Sequence, residues 1–387
     1  MTDWQSKPLG HVIELQRGYD LTEAERGHGD IPVIGSAGQN GWHNKAKAKG
    51  PGVTVGRSGA SIGVVTLTQR EYWPHNTVLF VKDFKGNDPA FIANLLRCLN
   101  LAALNSGSAQ PSLNRNFVYP IEVRIPPPQK QRRIASILSA YDDLIENNRR
   151  RVAILEEIAQ RLFNEWFVRP VGERLPIPGD RIEEWILPSG WRFSSLSKIA
   201  NIIMGQSPSS SDYSAKDEGL PFHQGVTDFE GRFHQNRLFL RSDLPWKRTA
   251  KKGDVLFSVR APVGRIAVAL EALALGRGLC AIRELAGDQV FLLTHLLVSF
   301  PSSDMFGGGT IYKAVTKDDV HSIPILQPPE DLKKRFETLA SPMWEQLRTL
   351  TNANMRLQTA RDLLLPKLIL GEMEVSTAEE TFAEAAE

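Results

Sequence analysis

The chain has 387 residues, 42% of them hydrophobic and 23% charged, which is ordinary globular usage and excludes a single small module. Its two cysteines, Cys98 and Cys280, exclude a disulfide framework or a thiolate cluster with zinc-ligand spacing and read as core residues. The net charge of +2 hides an uneven distribution: residues 372–387 carry six glutamates and neither Lys nor Arg, so residues 1–371 hold +8, a modestly basic body that suits a polyanionic partner.

Met1 to Gly10 has no apolar run of signal-peptide length, and no stretch approaches the roughly 18 to 20 apolar residues that span a bilayer, so a cytoplasmic chain without a membrane role is expected. An internal repeat then organises the sequence. Trp4, Leu9, Val12, Leu15 and Gly18 match Trp191, Leu196, Ile199, Ile202 and Gly205 at an offset of 187. Gly52, Val55, Ala60 and Gly63 match Gly253, Leu256, Ala261 and Gly264 at 201, and Ile134, Leu138, Ile145, Val152 and Ala159 match Leu339, Met343, Leu350, Leu357 and Leu364 at 205. The growing offset is what loop insertions in a second copy produce.

Each copy reads as a mixed α/β globular part followed by a long helix. In the first, 51–55, 63–67 and 77–81 are predicted strands around a Gly-rich turn, and Pro89 to Asn105 is a predicted helix. The second repeats this with strands over 254–259 and 264–269 and a helix over 290–300. Pro126-Pro127-Pro128 and Pro328-Pro329 close each globular part and open a helix. The boundaries are 1–125, 126–170, 171–325 and 326–372, with an acidic tail over 373–387.

In 129–168, Ile134, Leu138, Tyr141, Ile145, Asn148, Val152, Leu155, Ala159, Leu162 and Trp166 step by four and three, a heptad seam that needs a partner helix. Asn148 either fixes the register of that pairing or marks a wet stretch. The second seam runs through Phe336, Leu339, Met343, Leu350, Leu357 and Leu364, with a break expected at Ser341-Pro342. Two seams of matching length on one chain predict a pseudo-twofold pair packed as an antiparallel coiled coil; two independent dimerising coils are the alternative. At about 1.5 Å per residue, some 40 residues make a spacer of roughly 60 Å, between one and two turns of B-DNA.

Motifs for chemistry are missing. Asn87-Asp88-Pro89-Ala90-Phe91 lacks the second proline of an adenine-methylating motif, and Gly52 to Ser58 has the wrong spacing for a phosphate-binding loop. The eight histidines show no metal-type clustering, so no catalytic or metal residue is expected. Binding residues are better represented. From Ile31 to Arg70 there is no acid, while Lys45, Lys47, Lys49, Arg57 and Arg70 fall there; such stretches hold phosphates, or else form a solvated basic face. The second copy carries Lys247, Arg248, Lys251, Lys252, Arg260 and Arg265, diluted by Asp243 and Asp254. The polar loop from Ser108 to Asn116 offers Gln110, Asn114, Arg115 and Asn116 as base readers, and its counterpart over 310–317 offers Tyr312, Lys313 and Lys317.

The order of these segments resembles the specificity subunit of type I restriction-modification systems over nearly the whole chain. The resemblance rests on Gly56-Arg57-Ser58-Gly59-Ala60-Ser61-Ile62-Gly63, Gly107 to Leu113, Ile125 to Ile134, Pro188-Ser189-Gly190-Trp191 and Leu363 to Glu372. It adds Ser58 to the candidates for DNA contact. It implies two target recognition domains, each reading one half of a bipartite site in double-stranded DNA, joined by helices that set the gap and dock two modification subunits. No cofactor is expected in this chain itself. S-adenosylmethionine, ATP and Mg would sit on the modification and restriction subunits. The second copy departs from the pattern, with Gly307-Gly308-Gly309-Thr310 in the loop and Arg260-Ala261-Pro262-Val263-Gly264 at the turn. A single-chain methyltransferase with a fused recognition region predicts cofactor motifs that are not found, and a coiled-coil scaffold leaves the basic stretches unexplained.

Overall fold

The computed structural model describes residues 3–105, 112–216, 218–234, 236, 238–243, 245–301 and 315–386. The chain forms two compact units, residues 1–147 with 353–387, and residues 148–352.

In the first unit, β1 (Gln5–Pro8), β2 (Glu14–Arg17), β3 (Gly52–Gly56), β4 (Val65–Thr68) and β5 (Val78–Asp83) precede α1 (Pro89–Cys98), β6 (Glu122–Ile125) and α2 (Pro128–Phe163). Four strands make an antiparallel sheet in the order β2-β5-β3-β4. Val53, Val55, Leu79 and Val81 are buried in one core with Phe91, Ile92, Leu95 and Leu96 of α1, which is why these strands read as apolar runs. Asp88 caps α1 by accepting from Phe91 N at 2.9 Å, and Pro89 takes the first helical position. The helix stops at Cys98 rather than Asn105, because Leu99 is extended and Asn100 leaves the helical region, after which Leu101–Leu104 forms a 3-10 turn. β1 pairs antiparallel with β6, so the chain enters next to where α2 begins. A smaller sheet holds Ile31–Gly35, Gly38–His43 and Trp73–Pro74.

The second unit repeats the plan with β7 (Arg192–Ser195), β8 (Ala200–Met204), β9 (Val255–Ser258), β10 (Ile266–Val268), β11 (Leu279–Glu284), α3 (Gln289–Ser299), β12 (Pro324–Gln327) and α4 (Glu330–Ile369). Its sheet order, β8-β11-β9-β10, and the antiparallel β7–β12 pair copy the first unit. The repeated Gly18 and Gly205 have one cause: a Cβ would lie 2.0 Å from His75 O in one and 2.1 Å from Gly276 O in the other. The offset of 201 slips inside β9. Val55 pairs with Val65 as Phe257 pairs with Ile266, and Leu113 N donates to Arg57 O as Val315 N donates to Val259 O. Gly52 and Val55 therefore match Asp254 and Phe257, not Gly253 and Leu256, and Arg57 matches Val259. The turn that follows is one residue shorter in the second copy and recovers the offset at Gly63 and Gly264, both at positive φ. Away from this frame the copies diverge: the second sheet here has four strands, Leu238–Leu240, Leu220–His223, Leu273–Leu275 and Thr249–Ala250.

Within each unit the long helices run antiparallel. In the first, Ile134, Leu138 and Ile145 share the core with Leu357 and Leu364, Arg361 pairs with Asp142 at 2.5 Å, and Asn354 Nδ2 donates to Ile145 O at 3.2 Å. In the second, Phe163 packs on Phe291 and Phe336 with centroids 5.3 and 5.4 Å apart; Asn148 and Leu350 are buried, and Val152 is partly buried. Two expectations for the second seam fail. Leu339 is 48% exposed, and Ala340, Trp344 and Leu347 take the buried face, one residue further round the helix. No break occurs at Pro342: α4 continues through it, since proline's φ is helical and the residue lies on the exposed side. α2 ends in a π turn, Asn164–Val168, where Arg169 N donates to Asn164 O.

The acidic segment is structured. α5 (Val375–Ala386) buries Val375 and Ala378 in the first unit, sets Phe382 edge-on to Tyr141 at 4.7 Å, and pairs Glu379 with Arg133, while Glu374 just before it pairs with Lys130. Among the described residues no helix is long and apolar enough to cross a membrane.

Candidate nucleic-acid interface

In the first unit the ends of β2, β3 and β5 and the turn that opens at Ser112 enclose a cleft of about 520 Å3, lined by Gln16, Arg17, Arg57, Ser112, Asn114 and Arg115 among others. Main-chain bonds build it. Arg57 N donates to Thr77 O, its carbonyl accepts from Leu113 N, and Ser58 bridges to Ser112. Arg57 and Arg115 are then each held through one terminal nitrogen, and Arg17 through both. Arg57 Nη1 donates to Asn76 O at 3.3 Å, Arg115 Nη1 to Leu15 O at 3.0 Å, and Arg17 to both oxygens of Asp20. A hydrogen bond from Asn76, and then Arg17, hold the Asp20 carboxyl below its ordinary range. Asn114 caps the short helix Arg115–Val118 by accepting from Asn116 N. Arg57 and Arg115 are thus half-anchored forked donors at an open cleft, suited to a planar acceptor or a phosphate.

Arg57, Asn114 and Arg115 are thus brought together, with Ser58 and Asn116 adjacent. Gln110, Tyr312 and Lys313 lie outside the described residues. Lys45, Lys47 and Lys49 are exposed but do not line the cleft. Lys47 Nζ stands 5.5 Å from the ring centroids of both Tyr19 and Trp73, and Arg70 stands 5.1 Å over the ring of Trp42, so this face interleaves cations with aromatic planes. Gln16 and Arg17 were missed in the sequence.

The equivalent cleft is chemically different in the second unit. Pairing of β2 with β5 and of β8 with β11 matches Gln16 with Ile203 and Arg17 with Met204, and Val259, buried in the core, takes the place of Arg57, so the corresponding side chains are apolar. Among the described residues Lys317 keeps a cation at the place of Arg115, beside the capping Thr316. The other candidates scatter. Arg260 is exposed at the turn, Arg265 lines a separate cleft of about 440 Å3 with Arg149 and Arg232, and Lys252 lines another with Phe233 and Trp344. The diluting acids are already engaged: Asp254 is buried under Arg283 at 2.5 Å, and Asp243 pairs with Arg241 at 2.6 Å. Lys251 is exposed at the turn that Asp254 closes by accepting from Lys251 N.

The second unit also buries histidines whose protonation the fold disfavours. Burial first, then the neighbouring His223, lowers His234 to about 4, and burial lowers His295 to about 3. His234 Nε2 accepts from Leu270 N, and its Nδ1 reaches Asn236 Oδ1, which fixes the neutral tautomer. Among the described residues no group of three or more His, Cys, Asp or Glu is placed to hold a metal.

The chain thus repeats one α/β topology in two units, each closed by antiparallel helices, with different side chains at corresponding positions. Residues 1–157 match the family model described as the type I restriction modification DNA specificity domain. A putative MjaX specificity subunit from Methanocaldococcus jannaschii is 31% identical over 288 residues, 73% of this chain and 66% of the relative. The HindI specificity subunit of Haemophilus influenzae is 23% identical over 332 residues, 68% and 71% of the two chains. The matched segment thus spans 66% of the length of the archaeal relative. The crystal structure of the S subunit from M. genitalium shares the fold with a TM-score of 0.62 at 17% identity, over 95% of this chain and 96% of that one. The chain belongs to the family of type I restriction-modification specificity subunits.

Proposed function

We propose that the chain is the non-catalytic, sequence-reading subunit of a type I restriction-modification enzyme. The globular part of each unit reads one half of a split target in double-stranded DNA, and α2 and α4 set the gap and dock two modification subunits. Those partners would bring S-adenosylmethionine and methylate adenine; restriction subunits would bring ATP, Mg and cleavage. One observation supports the reading: the two units share sheet order, glycine positions and loop hydrogen bonds, yet Gln16, Arg17 and Arg57, which line the cleft of the first unit, correspond to Ile203, Met204 and the buried Val259 in the second. A protein that reads two different half-sites on one scaffold needs this combination. Base edges are told apart by side chains, while phosphate contacts only position the protein.

The test is to co-express the chain with the modification subunit encoded beside it and map methylated adenines by single-molecule sequencing. A split motif that disappears when this chain is omitted is the expected result. Methylation that is unchanged without the chain overturns the reading.

A further inference from the structure

We infer that Arg57 reads a guanine in the half-site held by the first unit, and that the second unit reads no base at the equivalent place through a guanidinium. The inference rests on the proposed function and adds the identity of one reader and its base.

Its first support is position. Arg57 is half-buried, its backbone is fixed on both sides by Thr77 O and Leu113 N, and its guanidinium is steadied by Asn76 O. Holding a long side chain at a set angle costs rotamer entropy. Both a phosphate and a guanine edge with O6 and N7 reward such a fixed fork, and the contrast between the copies decides between them. The neighbouring guanidiniums are less suited. Arg17 has both terminal nitrogens on Asp20, and Arg115 sits on the exposed lip of the cleft.

The second support is the contrast between the copies. Backbone-holding cations are needed by both halves, since both meet the same sugar-phosphate chain. Base readers are needed only where the half-site carries the matching base. At the place of Arg57, with the same main-chain bond to the following loop, the second unit has the buried Val259, flanked by Ile203 and Met204. The loss is confined to one copy, as a reading role requires.

The experiment compares wild-type chain with R57K and R57Q, each reconstituted with its modification subunits, by methylation mapping and by binding to a duplex library randomised over both half-sites. Wild type is expected to require guanine at one position of one half-site. R57K keeps the charge and loses the fork, so preference for guanine there falls about tenfold or more while the other half-site is unchanged. R57Q shifts that position toward adenine, which a carboxamide pairs with on two atoms. Unchanged melting temperatures establish that both variants fold, and R57K keeps the aliphatic stem that packs in the cleft. Retained base preference in both variants, with binding weakened equally on all duplexes, overturns the inference in favour of a phosphate contact and leaves the proposed function standing. Absence of any sequence preference in the wild-type complex overturns both.

Discussion

The first unit sets Gln16, Arg17 and Arg57 around its cleft where the second sets Ile203, Met204 and Val259, on sheets of the same strand order and behind loops held by the same main-chain bonds. The scaffold is specified by features that carry no polar side-chain information: glycines where strands approach, buried β-branched residues, and carbonyls that fix a loop. The cleft is specified by side chains that can be exchanged without touching those features. Stability and recognition are therefore written at different positions. The way to break this comparison is to find a scaffold position whose loss is felt differently in the two units without a physical cause, or a cleft position whose loss unfolds one.

The largest effect is expected in the aromatic cluster that only the second unit has. Phe163 packs on Phe167, Phe291 and Phe336, whereas the first unit has the aliphatic Ile134 at the place of Phe336, since Lys333 N donates to Pro329 O as Gln131 N donates to Pro127 O. Phe163→Ala removes a buried ring and leaves a cavity, at a cost of about 3 to 5 kcal/mol. Hydrogen exchange read by peptide should show protection falling across residues 148–352. Loss of equal size over β2 to β5 would contradict the division into two units.

Acid separates the units next. His234 is held neutral with its pKa lowered to about 4, from an ordinary 6.5. A depressed value means that the folded state disfavours the proton. The corresponding stability is present above about pH 6.5 and is lost as pH falls toward 4, up to about 3 kcal/mol in order of magnitude. His295, lowered to about 3, acts in the same direction. Denaturant melts between pH 7 and 4 should therefore weaken the second unit first, and His234→Gln should flatten much of that dependence. A steeper loss in the first unit would contradict the assignment.

Gly18→Ala and Gly205→Ala sharpen the scaffold half of the comparison. Each places a methyl about 2 Å from a backbone carbonyl that cannot swing away, and each is expected to cost about 1 to 3 kcal/mol by overpacking. The two losses should agree within a factor of about two when read by thermal melting, since the obstruction is the same.

Much of this scaffold was legible in the sequence because its causes are local. Apolar runs, Gly18 and Gly205, and the proline stops each impose one geometry, so repeat, strands and long helices could be placed from residue types alone. The failures share a different cause, a dependence on partners distant in the chain. Leu339 fits a heptad as well as Ala340 does, and only the surface presented by the second unit's core decides between them. Pro342 breaks a helix in isolation but is tolerated where the face is exposed. The slip that matches Arg57 with Val259 depends on a hydrogen bond from a loop more than fifty residues away. For the cleft, Arg57, Asn114 and Arg115 were found as polar residues in Gly-rich or acid-free surroundings, but Gln16 and Arg17 were not, because a lone Gln-Arg pair in a strand carries no signal until the fold sets it beside Arg57.

The smallest expected effect bears on the basic face of the first unit. Lys47 lies outside the cleft, over the rings of Tyr19 and Trp73, with its ammonium exposed. An ammonium on a flexible stem acts as a point charge and cannot distinguish one base edge from another. If it holds a phosphate, Lys47→Ala should weaken binding a few-fold on every duplex alike, reduce the slope of log affinity against log salt by about one, and leave the methylation motif as it was. The contrast with Arg57 is then complete within one unit: one cation alters how tightly DNA is held and the other alters which DNA is held. A change of motif in Lys47→Ala would show that the aromatic face reads sequence as well, and the boundary between holding and reading would have to be moved outward from the cleft to include it.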